Sequence, residues 1–201
     1  MATATIPQPP VLNLPNLLTA SRLVLSIILF ALIDQELWLA CLLVFAVAAV
    51  TDWLDGYLAR KQGLVSALGR VFDPLVDKVL VCGAYIFRLE FPSQTGLTPW
   101  MVTVVVAREL IINGLRTFLE SRGVHFGADW LGKIKMGLQC AALIAIFMAL
   151  YVKDLGASVD VRLFLDRLRD GLIYAMIAAT ALSGLQYLWR AVVILNVRKG
   201  Q

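Results

Sequence analysis

The sequence predicts an all-α, polytopic membrane protein: six transmembrane helices behind a short N-terminal surface segment. Three observations predict it. Of 201 residues, 60% are hydrophobic, above the share of about one half that soluble domains carry. The mean hydropathy is +0.79. The apolar residues also gather into six runs close to the ~20 residues a helix needs to cross a bilayer core. These cover residues 17–33, 37–59, 70–90, 98–119, 132–152 and 168–192. The expected organisation is an interfacial segment over 1–16 and one six-helix transmembrane catalytic domain over 17–201.

The leading stretch "MATATIPQPPVLNLPN" has neither a basic n-region nor a cleavable apolar core, so it reads as a surface segment rather than a signal peptide. The first helix carries Asn16 and Arg22 near its start. The second ends, and the third begins, in a polar stretch, "TDWLDGYLARKQGLVSALGRVFDPLVDK". The fourth holds Arg108 and Glu109 well inside its apolar run and Arg116 two turns later. Lys133 and Lys135 stand at the start of the fifth. Before the sixth, basic residues alternate with Asp154, Asp160, Asp166 and Asp170, as in an amphipathic solvated segment.

Orientation follows from Lys and Arg in short loops. Arg60, Lys61, Arg70, Arg116, Arg122, Lys133, Lys135, Arg190, Arg198 and Lys199 lie on one side; Arg88, Lys153, Arg162, Arg167 and Arg169 lie on the other. Both termini are therefore expected in the cytoplasm.

Several function classes lose support. Cys41, Cys82 and Cys140 stand singly in apolar runs, and His125 is the only histidine. A thiolate or imidazole metal site and a His-dependent nucleophile are disfavoured. Trp38, Trp53, Trp100, Trp130 and Trp189 lie mostly near predicted helix ends, where membrane anchoring explains them. The net charge of +4 suits anionic headgroups, and no basic helix or aromatic platform suggests nucleic acid.

The polar stretch between helices two and three contains Asp52, Asp55, Asp73 and Asp77. At 100° per residue, Asp52, Asp55, Gly56, Ala59 and Arg60 share an arc of roughly 140°. Gly69, Asp73 and Asp77 form a second stripe at intervals of four. An antiparallel pair of helices brings both stripes to the cytoplasmic side. Four carboxylates near lipid repel one another, and even one buried charge costs about 3 kcal/mol. A cation among them resolves this. Oxygen donors alone suit a hard divalent ion, Mg2+ or Mn2+, and four carboxylates suffice for two ions, an arrangement that clamps attacking and leaving oxygens at phosphorus. Gly56 and Gly69 leave room for a bulky ligand, Ala59 keeps the helices close, and Arg60 offers a fork suited to phosphate. The plainer alternative is headgroup-level pairing with Arg60, Lys61, Arg70 and Lys78, which accounts poorly for four carboxylates on two complementary faces.

The pattern Asp52-x-x-Asp55-Gly56-x-x-Ala59-Arg60, eight residues, Gly69-x-x-x-Asp73-x-x-x-Asp77 resembles the complete signature of the CDP-alcohol phosphatidyltransferases. Three flanking blocks, "NLPNLLTASR", "ARELIINGLR" and "LGKIKMGLQ", resemble the branch that makes phosphatidylglycerol phosphate from CDP-diacylglycerol and glycerol 3-phosphate. The resemblance implies that Asp52, Asp55 and Asp73 hold the ions with Asp77 sharing them, and that Asp77 is the general base. It implies that Gly56, Arg60, Gly69 and Asp52 bind the cytidine diphosphate part. It further implies a six-helix homodimer in a bacterial inner membrane, with a cytoplasmic active site. There are departures: no proline follows Arg22 in "RLVLSIILF", Met136 stands where a Thr is frequent, and Phe72 where a Leu is usual.

The implied reaction is attack of a glycerol 3-phosphate hydroxyl on the β-phosphorus of CDP-diacylglycerol, with CMP leaving. A phosphorylated acceptor needs its own cations, and Arg108, Arg116 and Lys135 are the candidates, since an arginine at the depth of Arg108 implies a polar cavity. Glu109 is a possible structural partner of Arg108. Lys133 and Lys135 lie about 200° apart on a helix, so only one faces a pocket. Competing readings are another acceptor (inositol phosphate, serine or phosphatidylglycerol), a divalent-cation transporter, and a structural membrane subunit.

Overall fold

The computed structural model describes residues 14–62, 67–90, 92–122 and 130–199, for some of these, including 52–62, 67–74 and 77, by the backbone alone. The described residues are helical, without strands: α1 (Leu14–Asp34), α2 (Trp38–Gln62), α3 (Ala67–Phe87), the single-turn α4 (Pro92–Thr95), α5 (Pro99–Ser121), α6 (Trp130–Asp154) and α7 (Val159–Lys199). A 3-10 turn, Arg88–Glu90, follows α3. Among the described residues two helices are long and apolar enough to cross a membrane, α6 and the Val159–Ile194 part of α7; Trp38–Thr51 and Lys78–Phe87 are shorter apolar stretches.

The chain divides into two units, Met1–Ala84 and Tyr85–Gln201. In the first, α1 packs along α2 through Leu29, Ile33, Cys41, Phe45 and Ala48, all buried. The connecting turn is three residues long and turns through Glu36, whose φ is +57°. It folds Trp38 into the core, 3% exposed, so this tryptophan packs the unit rather than anchoring it at an interface. Trp100, Trp130 and Trp189 are exposed, and the Trp53 side chain lies outside the described residues. Without a proline after Arg22, α1 runs unbroken, and Ser26 Oγ donates to the Arg22 carbonyl at 2.8 Å. A Cβ on Gly83 of α3 would stand 2.2 Å from Phe30 Cζ of α1; glycine permits this close approach.

The second unit is built on α6, whose Ala142, Leu143, Ile146, Phe147 and Leu150 are buried, with α7 along it and α5 against α7. Pro99 opens α5 at a position where its missing N–H costs nothing. At the other end of the unit α6 stops at Gly156, φ +67°, with Ala157 N–H donating to the Val152 carbonyl at 3.4 Å. Cys41 and Cys82 are buried and Cys140 half-buried, and none of the three forms a disulfide.

The third and sixth spans depart furthest from expectation. The sixth helix begins at Val159 rather than 168. No proline interrupts 159–170, and Arg169 Nη1 donates to Asp166 Oδ1 one turn earlier at 2.7 Å. At 41 residues α7 is roughly 60 Å long, about twice a bilayer core. The third helix ends at Phe87 rather than 90, because α4 follows and is held from α7: Arg169 donates to the Gln94 carbonyl and to Asp170 Oδ1, each at 2.9 Å. Gly96, φ +68°, sits so near that a Cβ would meet Asp170 Oδ1 at 2.7 Å.

Candidate active site

In the first unit the aspartate signature lies on continuous helix. Asp52, Asp55, Gly56 and Arg60 are α2 positions; Gly69, Asp73 and Asp77 are α3 positions. Their three- and four-residue intervals are thus helical intervals. The side chains of Asp52, Asp55, Arg60, Asp73 and Asp77, like that of Asn16, lie outside the described residues. The chemistry of the donor set, four carboxylates with neither thiolate nor imidazole, fits a hard divalent cation. Arg22, on α1, is 2% exposed and belongs to the core of this unit.

In the second unit three ionisable side chains from two helices meet. Glu109 of α5 accepts from Lys135 of α6 and, at 3.3 Å, from Arg108 Nη1 beside it. Lys135 and Glu109 are 4% and 7% exposed. Lys133, two positions earlier, is exposed, so the two lysines do part as their helical angle requires. Arg108 is fixed from a third helix: its Nη2 donates to Ser183 Oγ of α7 at 3.1 Å, and Ser183 donates in turn to the Thr180 carbonyl at 3.1 Å. A Cβ on Gly184 would lie 3.2 Å from Arg108 Cγ, so the glycine lets the arginine lie flat across α7.

Among the described residues two cations face one carboxylate in this cluster, one positive charge in excess. Burial makes each charge costly unless paired, and the shared Glu109 meets that need while leaving donors over. Among the described residues Arg108 Nε and Gln139 Nε2 are buried without a hydrogen-bond partner. Gln139 stands one turn from Lys135 on α6, where its carbonyl receives the Tyr85 hydroxyl at 2.8 Å. Such a group of donors with excess positive charge suits an anionic oxygen.

Arg116 is held separately. Its Nε and Nη2 donate to the Tyr187 hydroxyl of α7 at 3.1 and 2.8 Å, with the guanidinium carbon 5.5 Å from the ring centroid. Tyr187 is buried while Arg116 is exposed. The structure therefore joins Arg108 and Lys135 through Glu109 and sets Arg116 on a neighbouring support. Ser183, Tyr187 and Gln139 are the members the sequence reading missed. The signal for Ser183 and Tyr187 was their place with Thr180 and Gly184 on one face of an apolar helix, at intervals of three or four from Thr180 and from Tyr187. Met136 is exposed and stands apart from the cluster.

The sequence model of the CDP-alcohol phosphatidyltransferases matches residues 12–163, a span that contains all four aspartates, Arg108, Glu109, Arg116 and Lys135. The chain belongs to the CDP-alcohol phosphatidyltransferase family. Within this family, a protein of Bacillus subtilis (strain 168) named "CDP-diacylglycerol--glycerol-3-phosphate 3-phosphatidyltransferase" is 38% identical over 151 residues, covering 68% of this chain and 77% of its own. A Rickettsia felis protein of the same name is 33% identical over 178 residues, 87% of this chain and 93% of its own. Another, from Escherichia coli (strain K12), is 37% identical over 140 residues, 65% and 74% of the two chains. Ser183 and Tyr187 lie beyond the stretch matched by the CDP-alcohol phosphatidyltransferase model.

Proposed function

We infer that the chain transfers the phosphatidyl group of CDP-diacylglycerol to glycerol 3-phosphate, giving phosphatidylglycerol phosphate and CMP in phospholipid biosynthesis. The observation that carries this is the shared name of the relatives, one of them aligned over 87% of this chain. Readings with another acceptor, or as a cation transporter, are not favoured by any observation.

The site residues divide the work. A hydroxyl oxygen of glycerol 3-phosphate bonds to the β-phosphorus of CDP-diacylglycerol as the bond from that phosphorus to the CMP oxygen breaks. Asp77 takes the hydroxyl proton. Asp52, Asp55, Asp73 and Asp77 would hold Mg2+ or Mn2+, two ions in all, which would supply charge neutralisation at the diphosphate. Asp52, Gly56, Arg60 and Gly69 bind the cytidine diphosphate part. Arg108, Lys135 and Arg116 receive the acceptor phosphate; the excess positive charge and the buried Arg108 Nε support the first two. The enzyme works as a homodimer of six-span chains in a bacterial inner membrane, with termini and active site cytoplasmic; the distribution of Lys and Arg supports that orientation.

The test is CMP release by the purified protein given CDP-diacylglycerol and Mg2+, with glycerol 3-phosphate, inositol phosphate, serine and phosphatidylglycerol offered separately. Release with glycerol 3-phosphate alone is expected. Release with a different acceptor would overturn the substrate assignment while keeping the family chemistry.

A further inference from the structure

At the far end of the second unit the last turn of α6 and the first turns of α7 enclose a cleft of about 310 Å³, lined by Ala149, Lys153, Val159, Arg162, Leu163 and Asp166. Its size is at the lower end of the range of about 300–1,000 Å³ for small-molecule sites. Lys153 is eighteen residues along α6 from Lys135, ~27 Å by helical rise. The cleft is therefore distinct from the Arg108–Glu109–Lys135 cluster.

Its chemistry is amphipathic. Two cations face one carboxylate, and that carboxylate is already engaged: Asp166 Oδ1 accepts from Arg169 Nη1 at 2.7 Å. Among the described residues Arg162 Nε is buried with no hydrogen-bond partner. The remaining lining, Ala149, Val159 and Leu163, is apolar, and Val159 and Leu163 are 61% and 49% exposed. Asp154 and Asp160, on the same turns, are exposed and not part of the lining. A soluble anion has no use for exposed aliphatic side chains beside its cations. A lipid has, because its phosphate and its acyl chains arrive together. The cleft also stands at the end of an apolar helix long enough to cross a bilayer, and lipid headgroups lie at the ends of such a helix.

We propose that this cleft binds the phosphate headgroup of an anionic phospholipid, with Lys153 and Arg162 on the phosphate and Val159 and Leu163 along the chains. The site accounts for two of the basic residues that break the charge asymmetry of the loops. Arg169 is accounted for by Asp166, Asp170 and the Gln94 carbonyl.

The test uses the full chain in neutral detergent, its thermal midpoint followed as phosphatidylglycerol, phosphatidylcholine or inorganic phosphate is added. Phosphatidylglycerol is expected to raise the midpoint by several degrees more than phosphatidylcholine, and K153Q/R162Q is expected to lose at least half of that excess while retaining CMP release. If the double variant does not fold, K153Q alone decides, because Lys153 is exposed and its loss leaves the core intact. An undiminished excess in the variants would place the lipid elsewhere, the active site included, and overturn the proposal. So would an absent excess in the parent, or an equal rise with inorganic phosphate. CMP release is measured independently, so loss of the enzymatic reading and loss of the lipid site are separate results.

Discussion

Lys135 of α6 donates to the carboxylate of Glu109 on α5, with both side chains less than a tenth exposed. The pair ties together two helices and carries Arg108 with it. Removing one member leaves a buried charge short of a partner, which costs about 3–5 kcal/mol, whereas removing both can be nearly neutral. K135M is expected toward the lower end of that range, since Arg108 still faces Glu109, and E109Q/K135M is expected to recover much of the loss. Denaturant unfolding of the parent, K135M, E109Q and the double variant in detergent measures the coupling. Strictly additive losses would show that the pair is not an energetic unit.

Arg108 owes its pose to small groups on α7. In G184A the new Cβ stands 3.2 Å from Arg108 Cγ, so the side chain must give by a few tenths of an ångström. S183A instead removes the acceptor of Nη2, a loss of about 1–3 kcal/mol when the donor stays buried. Both variants are expected to raise KM for glycerol 3-phosphate several-fold while kcat stays within about twofold, the pattern of lost binding rather than lost chemistry. Lower stability with an unchanged KM would assign Arg108 to structure alone.

Y187F keeps the ring and deletes the oxygen on which two Arg116 donors converge. Because Arg116 is exposed, the stability change is expected below about 1 kcal/mol. The rise in KM for glycerol 3-phosphate is expected to be smaller than in R116A, which removes the charge itself. Steady-state kinetics of the two variants side by side checks the order; a larger effect in Y187F would make the tyrosine, not the arginine, the contact that matters.

What was legible in the sequence follows from how local its cause is. Apolar runs place α6 within two residues at each end, and the helical angle between Lys133 and Lys135 anticipates that only one is buried. The N-terminal turns of α7 were not legible. Hydropathy marks only the apolar part of a helix, while Asp160–Asp170 is helical through backbone continuity and ion pairs such as Asp166–Arg169. The short α4 depends on Arg169 reaching the Gln94 carbonyl, a contact across 75 positions that no local pattern encodes. In the candidate site, Arg108 and Lys135 are conspicuous as charges inside apolar helices. Ser183 and Tyr187 are ordinary polar residues until a third helix brings them to arginines. The aspartate signature was legible because one helical repeat relates its members on each helix.

That signature carries the sharpest chemical prediction. If Asp52, Asp55 and Asp73 hold the divalent ions and Asp77 also moves the proton, chelation should abolish CMP release in the parent protein, and Mg2+ or Mn2+ should restore it. D52N, D55N and D73N weaken ion binding, so their activity is expected to recover in part as Mg2+ is raised. D77N keeps the shape and one acceptor oxygen but has no basic group for the hydroxyl proton, and positioned general bases contribute on the order of 10²–10⁴ in rate. Its turnover is therefore expected to fall by at least about 100-fold, at any Mg2+ concentration, while CDP-diacylglycerol binding by equilibrium titration persists. Recovery of D77N at high Mg2+ would show that its role is ligation alone. Near-normal turnover in D77N at ordinary Mg2+ would remove Asp77 from both roles and leave proton transfer to another carboxylate of the signature.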